Sequence, residues 1–163
     1  FTALSERNWQ RRFMELGADD YITKPFSAEE LIGAVRTQCQ KLDWRRAETS
    51  VNSGKSYGFD FAGRVFDPIQ RTVLQDDGKL ETLTVSEAQL LLVLLESAGR
   101  TMSREAIFEA MGRHFSPIDR TVDVLVGRLR RKIGDDPRAA RIVVTVRSNG
   151  YLLSATVRRV AMN

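Results

Sequence analysis

The 163-residue sequence contains one cysteine, one histidine and no long apolar run. Cys39 has no second cysteine to pair with, so the chain forms no internal disulfide, which is typical of a protein in the reducing cytoplasm. The longest apolar cluster, Leu90 to Leu95, is far shorter than the roughly 18 residues that cross a membrane. The composition therefore predicts a cytoplasmic protein without a membrane partner.

Groups that carry metal or catalytic chemistry are also scarce. The lone histidine, His114, has no cluster of further histidines or cysteines at zinc-ligand spacing, and no nucleophile–base pair is recognisable. Gly54-Lys55-Ser56 resembles part of a phosphate-binding loop, but Thr49 stands where that motif needs its first glycine. We predict that the chain is not an enzyme and holds no metal or other cofactor.

Positive charge is concentrated in one segment. Residues 1–42 carry six basic and six acidic side chains, whereas residues 120–132 carry five basic side chains against the single acid Asp123. Such a local excess is the electrostatic footprint expected of a surface that binds phosphate.

The same basic segment has helical periodicity. A buried stripe is predicted at Val122, Val126, Leu129 and Ile133. The opposite face carries no carboxylate and comprises Arg120, Thr121, Val124, Gly127, Arg128 and Arg131. A helix with an apolar back and a basic front fits the DNA major groove, where arginine commonly reads guanine. Taken alone, the pattern is equally compatible with a charged face in solvent.

Three segments can be distinguished along the chain. Residues 1–42 read as strand–helix–strand–helix, the remnant of an α/β fold, with Ser27 capping the last helix. Residues 43–57 read as a polar linker. Residues 58–160 read as a complete small α+β domain. The chain begins at Phe1 rather than methionine, which predicts a fragment of a longer protein.

Within the third segment the order of elements predicts a winged helix-turn-helix. Residues 59–84 alternate apolar and polar side chains around an Asp76-Asp77-Gly78 turn, which indicates a short antiparallel sheet. Thr84 to Glu87 form a capping box for a first helix, Ser103 caps a second, and the basic helix is the third. Residues 142–153 alternate around Ser148-Asn149-Gly150 and predict a hairpin, the wing.

These motifs resemble the OmpR/PhoB-type response regulators of bacterial two-component systems. The resemblance rests on Leu83-Thr84 with Glu87, on Ser103-Arg104-Glu105, on Arg120 to Val124, on Leu129 to Lys132, and on Thr145-Val146-Arg147 with Gly150-Tyr151. In the first segment, residues 17–26 resemble the end of a flavodoxin-like receiver domain. The resemblance implies an N-terminally truncated receiver followed by a DNA-binding domain.

For the receiver part, the resemblance implies three switch residues, Thr2, Tyr21 and Lys24. The phosphate-accepting aspartate and its Mg²⁺ pocket lie earlier in the family's pattern, so Mg²⁺ is expected only in an intact receiver. Asp20, Glu30 and Arg36 are candidates for ion pairs across a homodimer, with packing inside one molecule as the alternative. A cognate sensor histidine kinase is the implied partner of the full receiver.

For the DNA-binding part, Arg128 is expected to contact a base edge and Val124 a thymine methyl. Phosphate contacts are assigned to Arg120, Thr121, Arg130 and Arg131, and Arg147 is expected to enter the minor groove from the wing. Asp123 is expected to orient an arginine, Tyr151 to lie in the wing core, and Leu125 to lie at the DNA flank. The loop 113–119 lies where the family meets RNA polymerase.

Two functions remain in competition. The leading one is a sequence-specific transcription regulator that binds double-stranded DNA through residues 120–133 and 142–153, as the output of a phosphorelay. The alternative is a protein-interaction module whose basic helix docks on an acidic partner.

Overall fold

The computed structural model describes residues 27–28, 32, 56–112 and 121–162. The chain divides into two compact units, Phe1–Gly54 and Lys55–Asn163. In the first unit Ala28 and Ile32 are helical, and Ser27 precedes them. The predicted switch residues Thr2, Tyr21 and Lys24, the predicted dimer residues Asp20, Glu30 and Arg36, and the loop 113–119 with Arg120 lie outside the described residues.

The second unit begins with a five-stranded antiparallel sheet, and the last strand of the unit also belongs to this sheet. Its strands are β1 (Ser56–Phe61), β2 (Arg64–Asp67), β3 (Thr72–Leu74), β4 (Leu80–Thr82) and, from the end of the chain, β8 (Val157–Met162), in the order β4-β3-β2-β1-β8. The alternation of the sequence places Phe59, Phe61, Phe66 and Val73 on the buried face. The predicted Asp76-Asp77-Gly78 turn joins β3 to β4, with Gly78 at φ 82°.

Both ends of this sheet differ from the sequence prediction. β1 begins at Ser56, inside the segment read as linker, and β8 extends two residues past residue 160. β8 pairs with all of β1, from Ser56 opposite Met162 to Phe61 opposite Val157. The sequence predicted no strand after the hairpin, because a partner strand a hundred residues away leaves no local signal.

Three helices follow the first four strands. They are α1 (Val85–Glu96), α2 (Arg104–Ala110) and α3 (Thr121–Lys132). The predicted capping box is present, since the Thr84 amide donates to Glu87 Oε2 at 2.8 Å and the Glu87 amide donates to Thr84 Oγ1 at 3.4 Å. Ser103 caps α2 by accepting the Ala106 amide at 3.0 Å. Both caps satisfy amides that a helix leaves unpaired in its first turn.

The wing is the predicted hairpin plus one short strand. β5 (Thr101–Met102), β6 (Val143–Val146) and β7 (Gly150–Leu153) form a sheet in the order β5-β7-β6. Gly150, at φ 116°, is required here, because a Cβ would lie 2.0 Å from the Met102 carbonyl oxygen. The hairpin of β6 and β7 is thereby held against β5, the strand between α1 and α2.

The core lies between the helices and the buried sheet face. α3 packs against α1 and contributes Val122, Leu125, Val126 and Leu129 to the core, with Ile133 buried directly after its last residue. The predicted stripe of α3 is therefore confirmed. The expectation that Leu125 lies at the DNA flank is wrong, because this side chain is buried with the stripe.

Candidate nucleic-acid interface

The carboxyl end of α3 is fastened to the five-stranded sheet. Arg64 of β2 donates from Nε to the Ile133 carbonyl and from Nη2 to the Gly134 carbonyl, and Gln75 donates to the Lys132 carbonyl at 2.8 Å. These donors satisfy carbonyls that the last turn of a helix cannot pair internally. The direction in which α3 presents its outer face is thus set by the sheet.

That outer face is narrower than the sequence predicted. Val124 and Gly127 are half-buried, and Arg131 is exposed. Arg131 Nε donates to the Gly127 carbonyl at 3.3 Å, so this guanidinium lies back along the helix. Thr121 begins α3, but its side chain lies outside the described residues.

The prediction for Arg128 as the base-reading arginine is contradicted. Its side chain is 8% exposed and its Nε lies 2.8 Å from Oε1 of Glu87, a residue of α1 that is fully buried. Lys132 lies 2.8 Å from the other oxygen, Oε2, and also donates to the Thr82 carbonyl at 2.7 Å. Position 128 flanks the buried stripe, and the Arg128 side chain turns toward Glu87 and away from solvent. Arg128 is therefore a structural cation that joins α3 to α1.

The assignment of Arg130 to a phosphate contact is wrong for the same kind of reason. Arg130 is buried, its Nε donates to the Val143 carbonyl at 2.8 Å, and its Nη2 donates to Thr145 Oγ1 at 2.8 Å. Its guanidinium also lies 5.9 Å from the centre of the Tyr151 ring. Arg130 satisfies the first strand of the wing and so links α3 to the wing.

Asp123 orients an arginine, as expected. Its Oδ1 accepts Nε of Arg104 at 2.7 Å and the hydroxyl of Tyr151 at 2.6 Å. The Arg104 guanidinium lies 5.2 Å from the centre of the Tyr151 ring. Tyr151 is 4% exposed and thus belongs to the wing core, as predicted. α2, α3 and the wing meet at this group of three side chains.

The charges around this group alter the titration of two of its members. Burial is the main cause that raises the pKa of Tyr151 to about 12, and the hydrogen bond to Asp123 adds to it. The hydrogen bond from Arg104 to Asp123 raises the pKa of Arg104 further above its ordinary range. Asp123 is thus already compensated and adds little repulsion toward phosphate.

The wing tip and the loop before the wing supply exposed cations. Arg147 is exposed at the tip, where Ser148 adopts φ 62° and the Asn149 amide closes the turn on the Val146 carbonyl at 3.0 Å. Arg138 and Arg141 are exposed between α3 and β6. The backbone of that loop is held by Asp135, whose carboxylate accepts the amides of residues 141, 142 and 143.

Sequence reasoning missed Glu87 as the organising acid. It identified Glu87 only as the third helical residue of a capping box. A signal was present, since Arg128 and Lys132 lie four residues apart beside a buried stripe and therefore point to the same side of α3. What the sequence could not supply was the partner, which lies 41 and 45 residues earlier.

Other site types find no support in the part of the chain that the structure describes. No group of three or more potential metal ligands occurs among residues 27–28, 32, 56–112 and 121–162. In the same ranges, no helix has the length and apolar character needed to traverse a bilayer.

Three helices followed by a hairpin, with the third helix exposing one face beside it, define a winged helix-turn-helix domain. The family described as "Transcriptional regulatory protein, C terminal" matches residues 78–153. The crystal structure of the RstA DNA-binding domain of Klebsiella pneumoniae, in complex with the RstA box, is similar at a TM-score of 0.54 and 32% identity, over 60% of this chain and 96% of that one.

The transcriptional regulatory protein AruR of Pseudomonas aeruginosa is 35% identical over 143 residues, which are 87% of this chain and 58% of AruR. The response regulator DrrB, an OmpR/PhoB homologue of Thermotoga maritima, has a similar structure at a TM-score of 0.51 and 32% identity, over 86% of this chain and 58% of DrrB. Residues 78–153 thus match the C-terminal domain of transcriptional regulatory proteins, and most of the chain is similar to response regulators of the OmpR/PhoB type. The chain spans a little over half the length of AruR.

Proposed function

We propose that this chain is a sequence-specific DNA-binding transcription regulator, with α3 in the major groove and the wing in the adjacent minor groove. The observation that carries the proposal is the joint exposure of Arg131 on α3 and Arg147 on the wing, on two elements that Asp123, Tyr151 and Arg130 bind to each other. A rigid pair of reading elements can contact two successive grooves at once.

Fewer basic side chains are exposed than the sequence pattern predicted. Arg128 and Lys132 share Glu87, and Arg130 is buried against the wing, so the exposed cations of α3, of the loop after it and of the wing tip are Arg131, Arg138, Arg141 and Arg147. Three to five phosphate contacts per copy would make the logarithm of affinity fall with the logarithm of salt at a slope of about −3 to −4.5.

The test begins with enrichment of binding sites from a pool of random duplexes by the 163-residue chain. Binding to the enriched and to a scrambled duplex is then measured between 50 and 200 mM salt, concentrations over which phosphate-mediated binding changes strongly. We expect a preference for the enriched duplex and a slope near −3 to −4.5. A slope near −1 without preference would instead indicate a protein-interaction module that docks on an acidic partner.

Two variants test the geometry. Arg131→Ala and Arg147→Ala should each reduce affinity several-fold and make the salt slope shallower by about one. Arg158→Ala is the matched control, because Arg158 is also an exposed arginine but lies on β8, opposite Asp60. Equal losses in all three variants would mean that overall charge, and not α3 with the wing, governs binding.

The whole protein is proposed to be the cytoplasmic output component of a bacterial phosphorelay and not an enzyme. Residues 1–42 would form the end of its receiver, residues 43–57 a linker and residues 58–160 the DNA-binding domain, with Thr2, Tyr21 and Lys24 as switch residues. A sensor histidine kinase and RNA polymerase would be its partners. The support is the family match of residues 78–153 and the similarity to AruR over 87% of this chain.

A homodimer through Asp20, Glu30 and Arg36 is part of the same proposal. Reversing one charge, as in Glu30→Arg, should weaken self-association of the chain in sedimentation experiments. Glu30→Arg combined with Arg36→Glu should restore part of it if the two residues pair across the dimer. No change in either variant would remove these residues from the dimer face.

A further inference from the structure

Among the residues that the structure describes, no neighbour explains a glycine in the middle of α3 at position 127. Its backbone is helical rather than left-handed, and a Cβ built on it meets no atom of the described residues within 4 Å. Gly134 and Gly150 differ, since each has a positive φ and a Cβ at either would meet a neighbouring atom closer than 3 Å. A glycine in a helix interior is unfavourable relative to alanine. The space that the missing side chain leaves is therefore open to a molecule that binds α3 from outside the domain.

The gap left by Gly127 is bordered by two different groups. Val124, one turn earlier, is half-buried and presents an apolar edge. Arg131, one turn later, is exposed and lies over the gap's other edge, because its Nε donates to the Gly127 carbonyl at 3.3 Å. The nearby acid, Asp123, is occupied by Arg104 and Tyr151. Gly127 therefore leaves a space, here called the recess, with the apolar Val124 side chain on one side and the Arg131 cation on the other.

The chemistry of the recess selects among the base edges of the major groove. Thymine presents a C5-methyl group beside its O4 acceptor, whereas cytosine presents an amino donor and adenine an amino donor with N7. A methyl group can fill an apolar recess, but an amino group there would lose its hydrogen bond to water without gaining another. The Arg131 guanidinium at the rim of the recess is left for the phosphate contact proposed above.

We infer that Gly127 is a specificity-determining residue, and that the recess between Val124 and Arg131 receives the C5-methyl group of a thymine in each half-site. This inference rests on the proposed DNA-binding function and adds to it the base and the atom that are read. The recess also takes over the base reading that was expected of Arg128. It selects the base pair by shape, at the centre of α3.

The test removes only the methyl group from the DNA. In the enriched duplex, each thymine is replaced in turn by deoxyuridine. For the wild-type chain we expect one position per half-site at which affinity falls about fourfold, the effect of one buried methyl group. Gly127→Ala fills the recess, so it should bind the thymine duplex at least threefold more weakly. It should no longer distinguish thymine from deoxyuridine at that position.

Two controls separate the possible failures. Arg147→Ala, on the wing, should bind more weakly but keep the fourfold methyl effect at the same position. Gly127→Ala should unfold at the same temperature as the wild type or higher, and bind the scrambled duplex equally well. A methyl effect that survives in Gly127→Ala, or no methyl effect at any thymine, overturns the recess alone. A wild type that prefers no duplex overturns the proposed function as well.

Discussion

Glu87 shows how a single buried carboxylate can decide the role of a whole set of charges. It accepts the Thr84 amide within the cap of α1 and pairs with both Arg128 and Lys132 of α3. A buried ion pair does not by itself stabilise a fold strongly, because both groups lose their hydration. Removing one partner is nevertheless costly, since the other charge remains buried without compensation.

Glu87→Gln should therefore lower the free energy of unfolding by about 3 to 5 kcal/mol. The amide keeps the shape of the side chain and can still accept the Thr84 amide, so the lost charge is the main change. Urea denaturation at neutral pH measures the effect. In Glu87→Gln with Arg128→Met the buried cation is gone too, and part of the stability should return. A loss below about 1 kcal/mol in the single variant, the range of exposed pairs, would contradict this role.

The corrected role of Arg128 has a consequence for binding experiments. Arg128→Ala is expected to destabilise the domain and not to relax specificity at one base pair. Its effect on DNA should disappear when binding is measured well below the temperature at which the variant unfolds.

At the level of elements, the wing and α3 behave as one unit because Tyr151 lies between two cations. Arg104 comes from the start of α2 and Arg130 from the second half of α3, and Asp123 accepts the Tyr151 hydroxyl from the first turn of α3. Asp123 lies at the amino end of α3 and Arg130 to Lys132 at its carboxyl end, which also suits the helix dipole. Part of the basic clustering thus serves the helix itself.

Tyr151 makes stability depend on alkaline pH. Its pKa is about 12 in the folded protein, against an ordinary value of 10.0. Above pH 10 the unfolded chain loses this proton while the folded chain retains it, so rising pH favours unfolding. The free energy of unfolding should fall by about 2 kcal/mol between pH 10 and 12, and this contribution should be constant below pH 9.

Urea denaturation of the wild type and of Tyr151→Phe, from pH 8 to 11.5, isolates this contribution. Other groups titrate equally in both proteins, so the difference in stability between them should change only above about pH 9, in favour of the variant. Parallel curves over the whole range would show that Tyr151 titrates at its ordinary pKa in the folded protein.

Across the whole domain, β8 joins the last residues of the second unit to its first strand, β1. The strand pairs with six residues of β1, and Met162 covers Gly58, where a Cβ would lie 2.7 Å from the Met162 sulfur. The wing and α3 therefore lie inside a closed loop of chain, and the sheet that fastens the end of α3 is completed only when the last residues are in place.

A chain that ends at Ala155 should lose on the order of 3 kcal/mol or more, because several backbone hydrogen bonds of about 0.5 to 1.5 kcal/mol each are removed and Phe59 is uncovered. Thermal unfolding followed by circular dichroism measures the loss. A chain that ends at Met162 retains every pairing and is the control. If the shorter chain unfolds at an unchanged temperature, β8 is an accessory strand.

The sequence by itself determined the elements whose signals are local. The capping residues Thr84 and Ser103, the stripe of α3 and the hairpin around Gly150 follow from spacing within one or two turns, and all are present. With the family motifs, these signals were enough to predict the winged helix and its class of function.

Only the tertiary structure decided which basic residues of α3 remain exposed. Arg128 and Arg130 are turned away from solvent by Glu87 and by the Val143 carbonyl, which lie on other elements. Periodicity places a side chain on a side of its helix, but it does not tell what faces that side. A long cation at the border of an apolar stripe can reach either solvent or a buried acceptor, and the position of that acceptor depends on how distant segments pack.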